Sequence, residues 1–191
     1  MKSDLKVSSK TPAMKSSNTP SIANPVILGA ENAELAFYLP TPPVTTTSWH
    51  WQKPDAIEQI IKDNGNHWRK IFTIMAKIAA ANDAPDSWRE CRDLIFNNSK
   101  KLASVPVNFS QCNIIINATE LNTHSQVHII CGQEALGKIH DPSFKSAAVA
   151  IDDKQKIMAH EQILITPYLD YRQFPNVLIE QLRQYLYKAS N

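Results

Sequence analysis

Residues 163–186 constrain the fold of this chain more than any other stretch. They begin with an uncharged apolar run, Ile-Leu-Ile, which is typical of a strand that is buried on both faces. Pro167 cannot donate a hydrogen bond to a neighbouring strand, so the strand is predicted to end there. After a polar and aromatic loop, apolar residues recur near the 3.6-residue period of a helix, at Phe174, Leu178, Leu182, Tyr185 and Leu186. A central strand should bury all three side chains from Ile163 to Ile165.

The rest of the chain extends this pattern into an α/β fold. The sequence predicts strands at 34–39, 113–117, 127–131, 147–151 and 157–160, and helices near 54–64, 66–81, 87–95 and after Gly132. A strand, a block of helices and then alternating strands and helices predict a three-layer α/β/α domain with a mostly parallel central sheet. We assign residues 26–191 to this single domain, and residues 1–25, which are rich in Ser, Lys, Thr, Asn and Pro, to a flexible tail.

Charge and cysteine content narrow the class of protein. A net charge of +2 over 191 residues lacks the basic excess that nucleic-acid binding favours, so a nucleic-acid partner is not favoured. The three cysteines form no Cys-x-x-Cys pair, which indicates reduced thiols in a cytoplasmic protein. No apolar run approaches the roughly 20 residues of a membrane span, and no membrane association is expected.

The known catalytic signatures are missing from the sequence. His124 and His128 alone among the six histidines have i, i+4 spacing, but His128 falls in a predicted strand, where this spacing does not converge on a metal. There is no Gly-x-Ser-x-Gly elbow and no glycine-rich phosphate loop. Cys131 lies at a strand end, but a nucleophilic thiol needs an exposed, electropositive setting. We therefore assign no catalytic residue, no metal site and no cofactor.

Three loops are predicted to meet where the parallel strands end, at 40–43, 132–133 and 167–172. Ligands of open α/β sheets bind at this edge, and the residues on offer suit a small planar or nucleotide-like ligand. The predicted ligand-binding residues are Pro43, Trp49, Asn66, His67, Gly132, Gln133, Pro167, Tyr168, Asp170, Tyr171 and Arg172. Several of them have a structural alternative: Trp49 could cover the edge of the core, Asn66 could cap a helix, and Asp170 could pair with Arg172.

Two segments give the chain a resemblance to a known family. Residues 127–139 (VHIICGQEALGKI) resemble the strand-Gly-x-x-Ala-helix segment of uracil-DNA glycosylase-like proteins. Residues 163–172 (ILITPYLDYR) are similar to their late strand and its His-Pro-Ser-type loop, and Pro42-Pro43 would stand where their first catalytic loop lies. The resemblance implies a three-layer α/β/α fold. However, Thr166-Pro167-Tyr168 replaces His-Pro-Ser, and the loop at 40–51 has no Asp or Asn, so the family's catalytic motifs are missing.

Three functions follow from these observations. The leading hypothesis is a cytoplasmic domain that binds a small planar or nucleotide-like ligand at the carboxyl ends of the strands. The first alternative is a divergent glycosylase-like enzyme that acts on nucleic acid, as the resemblance implies. The second is a protein-binding domain without catalysis, which would use the tail and the loop around Trp49 and Trp51. The residues alone do not decide whether the protein is an enzyme.

Overall fold

A seven-stranded mixed sheet, flanked by helices, forms the protein. The structure is a computed structural model that describes residues 24–80, 87–96, 111–140 and 143–188. Its strands are β1 (Val26–Gly29), β2 (Leu35–Leu39), β3 (Cys112–Ile116), β4 (Val127–Cys131), β5 (Val149–Ala150), β6 (Met158–His160) and β7 (Ile163–Thr166). Its helices are α1 (Ala56–Asn64), α2 (Asn66–Ala79), α3 (Ser87–Asp93), α4 (Gln133–Lys138), α5 (Ser143–Ala147) and α6 (Asn176–Lys188). The α/β class predicted from the sequence is confirmed.

The strands are ordered β1-β3-β2-β4-β7-β6-β5 across the sheet. Four consecutive strands, β3, β2, β4 and β7, are parallel, and we call them the inner strands. The strands β1, β6 and β5 pair antiparallel with their neighbours. The sheet is therefore mixed, and the prediction of a mostly parallel sheet holds only for its centre. The physical reason at one side is the tight turn at Glu161 and Gln162 between β6 and β7, because strands joined by so short a connection can only be antiparallel.

Apolar side chains cover both faces of the central strands. On one face, Phe37, Ile114, Ile129 and Leu164 lie in register and join a buried cluster with residues of α1, α2, α3 and α6. On the other face, Tyr38, Ile115, Ile130 and Ile165 join a second cluster with residues of α4 and α5. Nine of the 14 residues of α2 are buried, which makes it the most enclosed helix of the described chain. Double coverage explains why the inner strands read as apolar runs.

The predicted elements are largely found, with different ends. The prediction that all three residues from Ile163 to Ile165 are buried is wrong for Ile163, which is half-buried because it opens β7 beside the exposed turn residues Glu161 and Gln162. Strand β1 was not predicted, and α2 ends at Ala79 rather than near residue 81. The hairpin predicted around 152–156 is present as β5 and β6.

Predictions for the cysteines, the tail and membrane association can be compared with the described residues. The three cysteines are free and buried, as predicted. Of the predicted tail, residues 1–23 lie outside the described residues. No helix in the described part of the chain is long and apolar enough to cross a membrane.

Candidate ligand-binding site

A cleft lies at the carboxyl ends of β4 and β7. The turn of the β5–β6 hairpin reaches the same edge of the sheet because β6 runs antiparallel to β7. The cleft has a volume of about 270 Å³ and is lined by Gly132, Gln133, Gln155, Lys156, Thr166, Pro167, Tyr168 and Gln173. We call this set the edge cleft. Its lining carries amides, a hydroxyl, a phenol and an ammonium group, and it holds no carboxylate, imidazole or thiol.

Tyr168 is the aromatic side chain of the edge cleft. Its hydroxyl lies 2.9 Å from Nε2 of His67, and the two rings are stacked with centroids 5.6 Å apart and planes 16° apart. Burial raises the pKa of Tyr168 to about 12, and the negative charges of Glu134 and Asp170 act in the same direction. The phenol therefore keeps its proton near neutral pH and remains a hydrogen-bond donor.

Gly132 allows Tyr168 to lie close to the backbone at the end of β4. Its φ of +86° belongs to a region that side-chain-bearing residues rarely adopt. A Cβ atom on Gly132 would lie 3.3 Å from Cβ of Tyr168. The amide of Gly132 also donates to the carbonyl of Thr166 at 2.9 Å, which ties β4 to β7 where both strands end. The positive φ and the close approach of Tyr168 both explain why a glycine occupies position 132.

Asp170 is held by two basic residues. Its carboxylate accepts a hydrogen bond from Nζ of Lys70 at 2.8 Å and from the backbone N–H of Arg172 at 2.9 Å, and Nε of Arg172 lies 3.4 Å away. The hydrogen bond from Lys70, followed by that from the Arg172 backbone, lowers the pKa of Asp170 from 3.8 to about 2. The pairing of Asp170 with Arg172 that was an alternative to ligand contact is thus present. Lys70 is the nearer partner, and neither Asp170 nor Arg172 lines the edge cleft.

Other predicted site residues make contacts elsewhere in the protein. The indole N–H of Trp49 donates to the carbonyl of Ala56 at 2.9 Å, and its ring packs against the core, as the alternative reading proposed. The Asn66 side chain accepts hydrogen bonds from Arg69. The ring of Tyr171 faces Nζ of Lys77, which lies 5.0 Å from its centroid, and Pro43 is half-buried in the loop before α1.

The structure therefore divides the predicted site. Gly132, Gln133, Pro167 and Tyr168 line the edge cleft together. His67 joins them through its hydrogen bond to Tyr168.

Sequence reasoning missed four residues of the edge cleft, namely Gln155, Lys156, Thr166 and Gln173. Both the hairpin turn and the end of the last strand were predicted, but their adjacency was not. The signal was the short gap between the strands predicted at 157–160 and 163–165, since a two-residue connection indicates a hairpin. Pairing these two strands would have brought the turn at 152–157 next to Pro167.

Cys131 and His128, the reactive side chains of β4, are enclosed or already bound. Cys131 is fully buried, and burial raises the pKa of its thiol well above the ordinary value, so it stays protonated. Nδ1 of His128 lies 2.8 Å from the hydroxyl of Tyr38, and burial lowers the pKa of this imidazole. Among the described residues, no three His, Cys, Asp or Glu side chains are grouped so that they could hold a metal ion. The chemistry available at the edge cleft is hydrogen bonding, stacking and charge attraction.

Comparison with known proteins places the chain in a family by sequence alone. No curated protein and no solved structure matches it. The model of one family, DUF6942, described as a family of unknown function, matches residues 26–187, which is most of the chain and all seven strands. This protein therefore belongs to the DUF6942 family.

Proposed function

We propose that this protein binds a small, planar and polar ligand in the edge cleft. The observation that carries the proposal is the environment of Tyr168, a half-buried phenol that is backed by the Gly132 backbone and hydrogen-bonded to His67. An aromatic ring held in this way can stack on a flat ligand and lose little side-chain entropy on binding. Polar groups at defined positions around an aromatic surface are typical of small-molecule sites.

The size and lining of the edge cleft support a ligand with one ring system. Its volume of about 270 Å³ lies just below the roughly 300–1,000 Å³ of sites for drug-sized molecules, which favours a nucleobase or a similar heterocycle over a dinucleotide. The amides of Gln133, Gln155 and Gln173 can each donate and accept hydrogen bonds. Such groups suit the edge of a heterocycle, which presents donors and acceptors side by side.

Ligand screening with a matched pair of variants tests the proposal. Nucleobases, nucleosides and nucleotides are screened by thermal shift, and the dissociation constants of hits are measured by calorimetry. Tyr168→Ala should abolish the shift. Tyr185→Ala should not, because Tyr185 is also half-buried and makes one hydrogen bond, to the Glu161 carbonyl, without lining the edge cleft. Equal dissociation constants for the two variants would refute binding in the edge cleft.

The glycosylase-like alternative has weaker support. It rests on the resemblance of residues 127–139 and 163–172, and a hydrolase would need a group that activates water. Asp170 is a weak base because its pKa is about 2, and the lining of the edge cleft contains no carboxylate or imidazole. Incubation with strands that contain uracil or hypoxanthine should therefore leave them intact. Base release that Asp170→Asn abolishes would overturn this preference.

We also infer a three-layer α/β/α arrangement of the domain. Two separate apolar clusters support it, one joining the sheet to α1, α2, α3 and α6 and the other joining it to α4 and α5. An experimentally determined structure tests this inference, which predicts helices against both faces of the inner strands.

A further inference from the structure

We propose that the ligand of the edge cleft carries an oxyanion, a phosphate or a carboxylate, and that the ammonium group of Lys156 binds it. This inference rests on the proposed function and adds the charge of the ligand and the residue that recognises it. Lys156 lies on the wall of the edge cleft that the β5–β6 hairpin supplies, across from the loop that follows β7.

Among the described residues, Lys156 differs from Lys70 and Lys138 in having no partner for its charge. Lys70 pairs with Asp170 at 2.8 Å, and Lys138 contacts Glu134 at 3.3 Å and also donates to the Asn117 side chain. Within the described residues, Nζ of Lys156 makes neither a hydrogen bond nor an ion pair. Lys156 is exposed and lines a polar cleft, so its ammonium group is free to bind an anion there.

The backbone that carries Lys156 is fixed before any ligand arrives. The buried carboxylate of Asp152 accepts hydrogen bonds from the N–H groups of Lys154, Lys156 and Ile157, at 3.0, 2.8 and 2.6 Å. Ile157 is fully buried and its carbonyl accepts from Ile151 at 3.0 Å, which anchors the turn in the core. The Cα position of Lys156 is therefore set by the fold, and binding costs only the ordering of its side chain.

Three of the four acidic groups near Lys156 are already engaged by other residues. Asp170 is bound by Lys70, Glu134 contacts Lys138, and Asp152 is satisfied by backbone N–H groups. Asp153 is exposed on the same turn but does not line the edge cleft. Apart from Lys156, the lining is neutral and includes an aromatic ring and three amides. A planar ring that bears an oxyanion complements this lining.

The test compares probes that differ in charge and are otherwise alike. We would measure by calorimetry the dissociation constants of adenosine and adenosine 5′-monophosphate, uridine and uridine 5′-monophosphate, and benzamide and benzoate, at low and high salt. The nucleotide pairs report on phosphate, and the last pair reports on carboxylate. A charge-assisted hydrogen bond predicts that an anionic probe binds about tenfold more tightly than its neutral counterpart, with a smaller difference at high salt.

Variants on the hairpin assign the effect to Lys156. Lys156→Gln should remove the preference, so that the anionic and neutral members of a probe pair bind alike, whereas Lys156→Arg should keep the preference. Lys154→Gln is the matched control, because Lys154 is exposed on the same turn and does not line the edge cleft. Unchanged melting temperatures would confirm that each variant is folded.

The outcomes separate this inference from the proposed function. Neutral and anionic probes that bind equally well to the wild type, or a preference lost equally in Lys156→Gln and Lys154→Gln, would overturn the role of Lys156 and leave binding of planar ligands in place. Failure of every probe pair to bind would overturn both proposals. A preference that is confined to the nucleotide pairs or to benzoate would identify the oxyanion as phosphate or as carboxylate.

Discussion

Alanine substitutions at Leu164 and Ile165 test the position of β7 as a doubly covered inner strand. These neighbours point to opposite faces of the sheet, and they are 0% and 7% exposed. Leu164 packs in the cluster with α1, α2, α3 and α6, and Ile165 packs in the cluster with α4 and α5. Both substitutions should therefore be strongly destabilising, which an edge strand with one wet face would not produce.

The magnitude follows from the atoms removed. Each substitution deletes three buried carbons, and at about 0.8 kcal/mol per methylene the loss of burial alone amounts to about 2.4 kcal/mol. The cavity left behind adds to this, so we expect about 2–5 kcal/mol for Leu164→Ala and about 2–4 kcal/mol for the slightly exposed Ile165. Either value is a large share of the roughly 5–15 kcal/mol that stabilises a domain.

Urea unfolding followed by circular dichroism measures both effects. The slope of the free energy of unfolding against urea should stay constant while the midpoint falls. Val149→Ala in β5 is the control, because Val149 is 64% exposed and its loss should change stability by less than about 0.5 kcal/mol. If one of Leu164→Ala and Ile165→Ala behaves like the control, β7 alternates between a buried and an open face. The placement of the edge cleft beside an inner strand would then be wrong.

Three further predictions concern groups whose contacts are specific. Arg183→Ala should lower the free energy of unfolding by about 2–3 kcal/mol, since this buried guanidinium donates to carbonyls at the end of α2, and Arg183→Lys in the same urea assay should recover part of the loss. The pKa of Asp170 in the folded protein lies below its unfolded value, so the stabilisation that its carboxylate provides is complete above about pH 4 and is lost as the pH falls toward 2. The free energy of unfolding, measured across this range, should therefore rise with pH, and Asp170→Asn should reduce this dependence on pH. Gly132→Ala should cost about 1–3 kcal/mol in urea unfolding because of its positive φ, whereas Gly137→Ala, with open space around it, should be tolerated; equal effects would contradict the strain argument.

The inner sheet was predictable from the sequence because its signals are local. Strand β4 was predicted with the bounds that the structure shows, since a five-residue run with four apolar residues stops at Gly132. The amino end of α2 was predictable from Asn64-Gly65, and Gly65 adopts the positive φ of +71° that ends α1. Short periodic segments with glycine or proline at their ends need no tertiary information.

Half of the residues that line the edge cleft were predictable from the sequence. The other half were not, because their position depends on strand pairing. Tyr168 and Gly132 follow strands whose carboxyl ends must meet if those strands are parallel, so chain order was sufficient. Lys156 reaches the edge cleft because β6 folds back on β7, a pairing of three residues that local composition signals weakly. Trp49 illustrates the opposite error, since a tryptophan in a hydroxyl-rich loop looks available for a ligand until its hydrogen bond to Ala56 is known.

The edge cleft is held between two supports that differ in their connection to the core. On one side, His67 and Lys70 lie three residues apart on the same face of α2, and they bind Tyr168 and Asp170 of the loop after β7. Because α2 is mostly buried, these two contacts anchor that loop to the core. On the other side, the hairpin turn depends on Asp152 and its three backbone hydrogen bonds. Tyr168 and Lys156 are thus held in place independently. Substitutions near Tyr168 should alter ring stacking alone, and substitutions in the hairpin turn should alter charge recognition alone.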